Sequence, residues 1–150
     1  MAEEQQEQVL GVVAQYTKDL SFENINPISR ITASNEQPNI DVQLKVNTNK
    51  TKQNDVYSVE LVTEITAKVK DTTLFVAQLN YCGEFLIRGF GEELMNPILY
   101  IECPRLLFPF ARSIIANAVN EGGFPPLFLA PVDFAGLYQQ QMESQNQIKQ

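Results

Sequence analysis

The chain has 150 residues and a mass of 16.9 kDa, the size of one domain. It is 44% hydrophobic and only 19% charged, which excludes a wholly disordered chain. With 11 Lys and Arg against 18 Asp and Glu the net charge is -7, and His is absent, so phosphate-backbone binding, His-dependent nucleophilic catalysis and imidazole metal ligation are all disfavoured.

The start, Met1-Ala2-Glu3-Glu4-Gln5-Gln6-Glu7, is acidic and polar, the reverse of a secretory signal, and residues 1–8 are expected to be disordered. From Val12 to Glu23 the pattern has period two. Tyr16, Lys18, Leu20 and Phe22 alternate with Thr17, Asp19, Ser21 and Glu23, which predicts a half-buried strand. Residues 24–38 carry Pro27, Asn35 and Pro38 without periodicity and read as a loop. Ile40, Val42, Leu44 and Val46 alternate with Asp41, Gln43, Lys45 and Asn47 in a second strand. A polar tip over 47–55 leads to a third strand, with Tyr57, Val59, Leu61, Thr63, Ile65, Ala67 and Val69 on one face.

Lys70-Asp71-Thr72 reads as a tight turn into a fourth strand bearing Phe75, Ala77, Leu79 and Tyr81 on one side. Cys82-Gly83 is expected to form a bulge before Phe85 and Ile87. Past Gly91 the period turns helical. Pro104 suits a first helical turn, and Leu106, Leu107, Phe110, Ile114, Ile115, Ala118 and Val119 follow at helical spacing. Pro109 is expected to kink or restart that helix, and Gly122-Gly123 to stop it. Phe124 to Pro131 is apolar and Pro-rich and cannot be helical. Asp133 is a candidate N-cap for a second helix with Phe134, Leu137 and Tyr138 on its apolar side, expected to fray beyond Gln139. Strands followed by helices, without repeat or linker, predict a single α+β domain over 1–150, with 143–150 outside its ordered part.

The chain lacks a phosphate-binding loop, and Gly89-Phe90-Gly91 is too short for one. Glu92-Glu93 reads as a solvated turn before a helix, and Asn49-Lys50-Thr51, a formal glycosylation acceptor, as a polar hairpin tip. Cys82 and Cys103 lie 21 residues apart, with neither at metal-ligand spacing; they read as reduced, partly buried thiols. With no nucleophile beside a base, the chain reads as a binding protein without cofactor or metal, not an enzyme. No apolar run approaches ~18 residues, so a soluble, cytoplasmic protein is expected. Two features call for partners. Leu106, Leu107, Phe110, Ile114 and Ile115 spread over more than one helix face, which suits either a thick core contact or, better, a subunit interface. The apolar loop with Phe124, Leu127, Phe128 and Leu129, together with the long loop over 24–38, either tucks against the core edge or binds another chain.

Tyr16-Thr17-Lys18-Asp19-Leu20-Ser21-Phe22-Glu23 resembles the first-strand motif of the SecB export chaperones of proteobacteria. The runs Glu102 to Arg112, Gly123 to Leu127 and Ala130 to Phe134 resemble that family's helix and inter-helix loop, and the likeness extends over residues 12–142. The resemblance implies a four-stranded antiparallel sheet with two helices, assembled as a homotetramer, a dimer of dimers. It implies a holdase that keeps precursor proteins unfolded and delivers them to the translocation ATPase SecA, without nucleic acid or membrane insertion. By the same resemblance Asp19, Glu23, Val76 and Gln78 occupy the SecA-binding positions, although better known members carry Glu where Gln78 stands. Ile40, Val42 and Leu44, with Phe124, Leu127, Leu129, Leu137 and Tyr138, occupy client-binding positions. Glu36 stands where some relatives have Trp, and the tail is Gln-rich where an acidic one is usual. A SecB-like chaperone of a toxin–antitoxin pair and, more remotely, a small-ligand carrier are the rival readings.

Overall fold

A computed structural model describes residues 7–30 and 37–148, side chains included except for residue 30 and residues 145–148. The disordered start expected over 1–8 falls almost wholly outside these residues, as does Glu36. Four antiparallel strands, β1 (Val9–Asn24), β2 (Asn39–Lys50), β3 (Val56–Val69) and β4 (Thr72–Arg88), form one sheet in the order β1-β4-β3-β2. A 3-10 turn, Ile28–Arg30, lies in the β1–β2 connection. The hairpins close where the sequence is polar. Lys50 pairs with Tyr57, and Val69 with Thr72 across a two-residue turn at Lys70-Asp71. Asp55 (φ 63°) and Lys70 (φ 53°) adopt the left-handed backbone these reversals need, a conformation uncommon for residues with a Cβ.

The helices cover one face. α1 (Glu92–Pro97) passes through a π-helical turn, Ile98–Glu102, into α2 (Cys103–Glu121), and α3 (Phe134–Ile148) follows the Pro-rich loop. The helical run therefore begins at Glu92 rather than at Pro104. Pro97 and Pro104 flank the wide turn, which absorbs backbone acceptors that prolines cannot serve. Pro109 neither ends nor restarts α2, which continues through it to Glu121. α3 continues past Gln139 to Ile148, so a polar composition did not end the helix. Its start is as expected: the Gly136 N–H donates to Asp133 Oδ1 at 3.1 Å.

The expected bulge at Cys82-Gly83 is absent. Phe75, Ala77, Leu79, Tyr81, Phe85 and Ile87 form one unbroken buried face of β4, and Gly83 pairs with Val59 in regular register. Gly83 serves a different purpose there. A Cβ would lie 2.6 Å from the Phe85 ring and 2.8 Å from Leu107 Cδ2, so glycine lets α2 settle onto the sheet. The irregularities lie in the β1–β4 pairing, at Val12/Ala14 and Thr17/Asp19, and near the β3–β4 turn, at Ala67/Lys68. The extra residue at Lys18 moves Tyr16 to the outer face opposite Cys82, while Leu20 and Phe22 lie opposite Leu79 and Ala77 on the helix side. Strict alternation had placed Tyr16 with Leu20 and Phe22.

The core lies between sheet and helices, with Leu61, Ile65, Leu79, Phe85, Leu107, Ile115, Val119 and Phe134 fully buried. Thr63 is buried among them, and its hydroxyl has no hydrogen-bond partner. Leu107 and Ile115 thus pack inside the chain itself, which corrects their reading as interface positions. Leu106 is 46% exposed, Phe110 is 51% exposed with its ring stacked on Tyr81 of the sheet at 6.3 Å, and Ile114 is half-buried.

Candidate functional site: an apolar groove and a carboxylate-bearing sheet face

The sheet separates two surfaces by the period-two alternation of its strands. On the helix side, a groove of about 380 Å³ opens between the start of β2 and the loop after α2. Ile28, Pro38 and Ile40 form one wall; Phe124, Pro125, Pro126 and Leu127 form the other; Val69, Leu74 and Phe75 lie between them. Among the described residues no charged side chain lines it. The loop wall is fixed by stacked aromatics: Phe75 and Phe124 lie 4.8 Å apart, and Phe22 stacks on Phe75 at 5.3 Å. Asn24 Nδ2 donates to the Gly122 carbonyl at 2.8 Å and ties β1 to the end of α2. A Cβ on Gly122 would collide with the Phe22 ring.

Of the residues expected to meet clients, Ile40, Phe124 and Leu127 line this groove. Val42 and Leu44 follow Ile40 on the same face of β2, Val42 exposed and Leu44 half-buried against the core. Leu129 does not reach the groove, because it is buried in the core. Leu137 and Tyr138 lie elsewhere. Tyr138 stacks on Tyr100 at 5.4 Å, and Tyr100 meets Thr48 Oγ1 at 3.1 Å. Thr48 is eight residues along β2 from Ile40, about 26 Å at the usual strand rise. Ile28 and Pro38 belong to the loop over 24–38 that the sequence also offers as a binding surface, whereas Val69 and Phe75 read only as strand positions.

The outer face brings Asp19, Glu23, Val76 and Gln78 together. Glu23 pairs with Val76, Ser21 with Gln78 and Asp19 with Asn80, so all six share one face of neighbouring strands. Asp19 and Glu23 are exposed; Val76 and Gln78 are half-buried. Gln78 Nε2 donates to Asn80 Oδ1 at 3.2 Å. Farther along the face, Lys18 Nζ and Glu60 Oε2 form a 3.0 Å ion pair. Burial of Glu60 works against its charge, but hydrogen bonds from Lys18 and Asn47 outweigh it and hold the carboxyl below its ordinary range.

Burial is also the main reason the Cys82 thiol is pushed up to about 11 and the Cys103 thiol to about 12, so both remain unreactive thiols at neutral pH. The described residues contain no group of three or more Cys, Asp or Glu placed to hold a metal ion. No described helix is long and apolar enough to cross a membrane.

Comparison with known proteins agrees with this architecture. The family described as "Preprotein translocase subunit SecB" matches residues 3–145. Protein-export protein SecB of Rhodopseudomonas palustris (strain BisB5) is 52% identical over 138 residues, covering 92% of this chain and 87% of that protein. The protein of the same name from Nitrobacter hamburgensis is 50% identical over 141 residues, covering 94% and 88%. Among solved structures, a Mycobacterium tuberculosis SecB-like chaperone, in complex with a ChAD peptide from the HigA1 antitoxin, superposes with a TM-score of 0.69 at 10% identity, covering 82% of this chain and 90% of that one. That likeness bears on the fold, which is the expected antiparallel sheet followed by helices. With a matching family model over most of its length and relatives near half identical, the chain belongs to the SecB family, whose members are protein-export chaperones rather than enzymes.

Proposed function

We propose that the protein is an ATP-independent holdase of the cytoplasm that binds unfolded precursors in the apolar groove and delivers them to SecA through the outer sheet face. The observation that carries this reading is the segregation of surfaces: a groove whose described lining is apolar on one side of the sheet, and the exposed carboxylates of Asp19 and Glu23 on the other. An unfolded chain offers apolar side chains in no fixed order. A groove walled by Ile28, Ile40, Phe124 and Leu127 buries such side chains at about 25 cal/mol per Å² without demanding a sequence. Val42 and Leu44 extend the contact along β2, and Leu137 and Tyr138 offer a second apolar station. Asp19 and Glu23, with Val76 between strands, attract the basic tail of SecA, and transfer to SecA takes the place of a nucleotide cycle.

Assembly as a homotetramer, a dimer of dimers, completes the reading. Leu106, Phe110 and Ile114 form an apolar stripe on α2, with Leu106 and Phe110 exposed, and the edge strand β1 exposes Val12, Val13 and Leu20. Several grooves on one particle engage one long client, and such multivalency raises avidity by roughly 10²–10⁴. A toxin–antitoxin role is the second reading, favoured only by the antitoxin peptide bound to the mycobacterial protein. The relatives near half identical are named for export.

The test is suppression of aggregation of an unfolded precursor, with particle mass from light scattering. The parent should hold the precursor soluble at a mass near four times 16.9 kDa. Ile40→Ala with Val42→Ala and Leu44→Ala should weaken the holdase and leave the mass unchanged. A monomer at micromolar concentration, or undiminished activity of the triple variant, would contradict the reading.

A further inference from the structure

The neutral Gln78 lies at the centre of three carboxylates. Its cross-strand neighbours are Ser21 on β1 and Glu64 on β3. Asp19 and Glu23 flank Ser21 on β1, about 13 Å apart along the strand. Glu64 faces their midpoint from two strands away, about 10 Å across the sheet. Between them a hollow of about 230 Å³ is walled by Ser21, Glu64, Thr66, Val76 and Gln78. Gln78 leaves it open, because its amide nitrogen is engaged along the strand by Asn80.

Glu64 differs from the other carboxylate of β3 on this face. Glu60 is held by Lys18, Asn47 and the Cys82 thiol. Glu64 is exposed, and no described Lys or Arg lies within ion-pair distance of it. A free carboxylate at the rim of a hollow with an apolar wall at Val76 matches one kind of group: a long cationic side chain, with its methylenes on Val76 and its charge at the rim.

We propose that Glu64 is a partner-binding residue, and that the hollow over Val76 and Gln78 receives one Lys or Arg side chain of the basic SecA tail. Glu64 thereby supplies from β3 the negative charge that Gln78 does not supply from β4. The inference rests on the outer face being the SecA-docking surface.

The experiment is calorimetric titration of a synthetic SecA C-terminal tail peptide into the full-length parent and into Glu64→Gln. The exposed position of Glu64 leaves the melting temperature as the check on folding. Affinity should fall roughly two- to five-fold in Glu64→Gln, as for an exposed ion pair, and the difference should shrink in high salt. Peptides with each Lys or Arg replaced in turn by Gln should include one whose affinity no longer depends on residue 64. Equal affinity of parent and Glu64→Gln, alongside weakened binding by Asp19→Asn with Glu23→Gln, would overturn the role of Glu64 and leave the docking surface standing. A parent that does not bind the peptide at all would overturn both.

Discussion

The two faces of the sheet are built from the same strands yet offer opposite chemistry. Phe22 and Glu23 are neighbours in sequence; one packs on Phe75 behind the groove, and the other stands exposed opposite Val76 on the outer face. Phe75 and Val76 divide in the same way. Period two gives one small domain two chemically distinct surfaces, and the Pro-rich loop completes the apolar one. The difference lies in how each face is finished. The helix side is covered except at the groove, where the Pro-rich loop stands off β2. No described element covers the outer face, and Asp19, Glu23 and Glu64 stand exposed on it.

The sharpest way to break this arrangement is through the contact that seats α2. Leu107→Asp should abolish cooperative folding, at a cost of about 4 kcal/mol or more, because a carboxylate would be desolvated against Gly83 and Phe85. Phe110→Asp, one turn on but outward, should leave the fold intact and reduce particle mass. Thermal melts and light scattering separate the two; similar behaviour of both variants would mean that α2 has no distinct inner and outer sides. Next in size is the groove. Ile40→Ser with Leu127→Ser should weaken precursor binding roughly tenfold, the loss of about 1.4 kcal/mol of apolar burial. Fluorescence titration with a labelled precursor reads this directly.

Smaller effects sharpen the contrast from within the sheet. Thr63→Val should stabilise the fold by about 1 kcal/mol, since it removes a buried hydroxyl without a partner and keeps the shape. Glu60→Gln should cost about 0.5–1 kcal/mol at neutral pH, through its pairing with Lys18. The sign with pH follows from the lowered Glu60 carboxyl. The unfolded form binds the proton more readily, so this stability is present above the ordinary carboxylate range and is lost as pH falls through it. Parent and Glu60→Gln should therefore converge in acid. Denaturant melts at neutral and acid pH check both expectations.

Much of this contrast was legible in the sequence, and the failures have physical causes. Alternation placed Asp19, Ser21 and Glu23 on one face because nothing interrupts β1 between them. It misplaced Tyr16 because the extra residue at Lys18 leaves no mark in the hydrophobic pattern. Gly83 suggested a bulge, whereas its role is space for Leu107, a contact made across the fold and invisible along the chain. The spread of apolar residues on α2 suits an interface better than a thick core contact, but tertiary packing assigns Leu107 and Ile115 to the core and leaves Leu106 and half of Phe110 exposed. The groove was half legible: Ile40, Phe124 and Leu127 were found by resemblance, and Ile28 and Pro38 lie in the loop marked out over 24–38, whereas Val69, on β3, joins them only across the fold.

The central claim is that the groove and the outer face bind different partners independently. It is tested most directly by a crossed titration of an unfolded precursor and the SecA tail peptide into two variants, each confirmed to melt like the parent. Asp19→Asn with Glu23→Gln should lose affinity for the peptide, more so at low salt, and bind precursor as the parent does. Ile40→Ser with Leu127→Ser should lose precursor and bind the peptide unchanged. A folded variant that loses both partners, or a pair of variants whose losses are exchanged, would contradict the account.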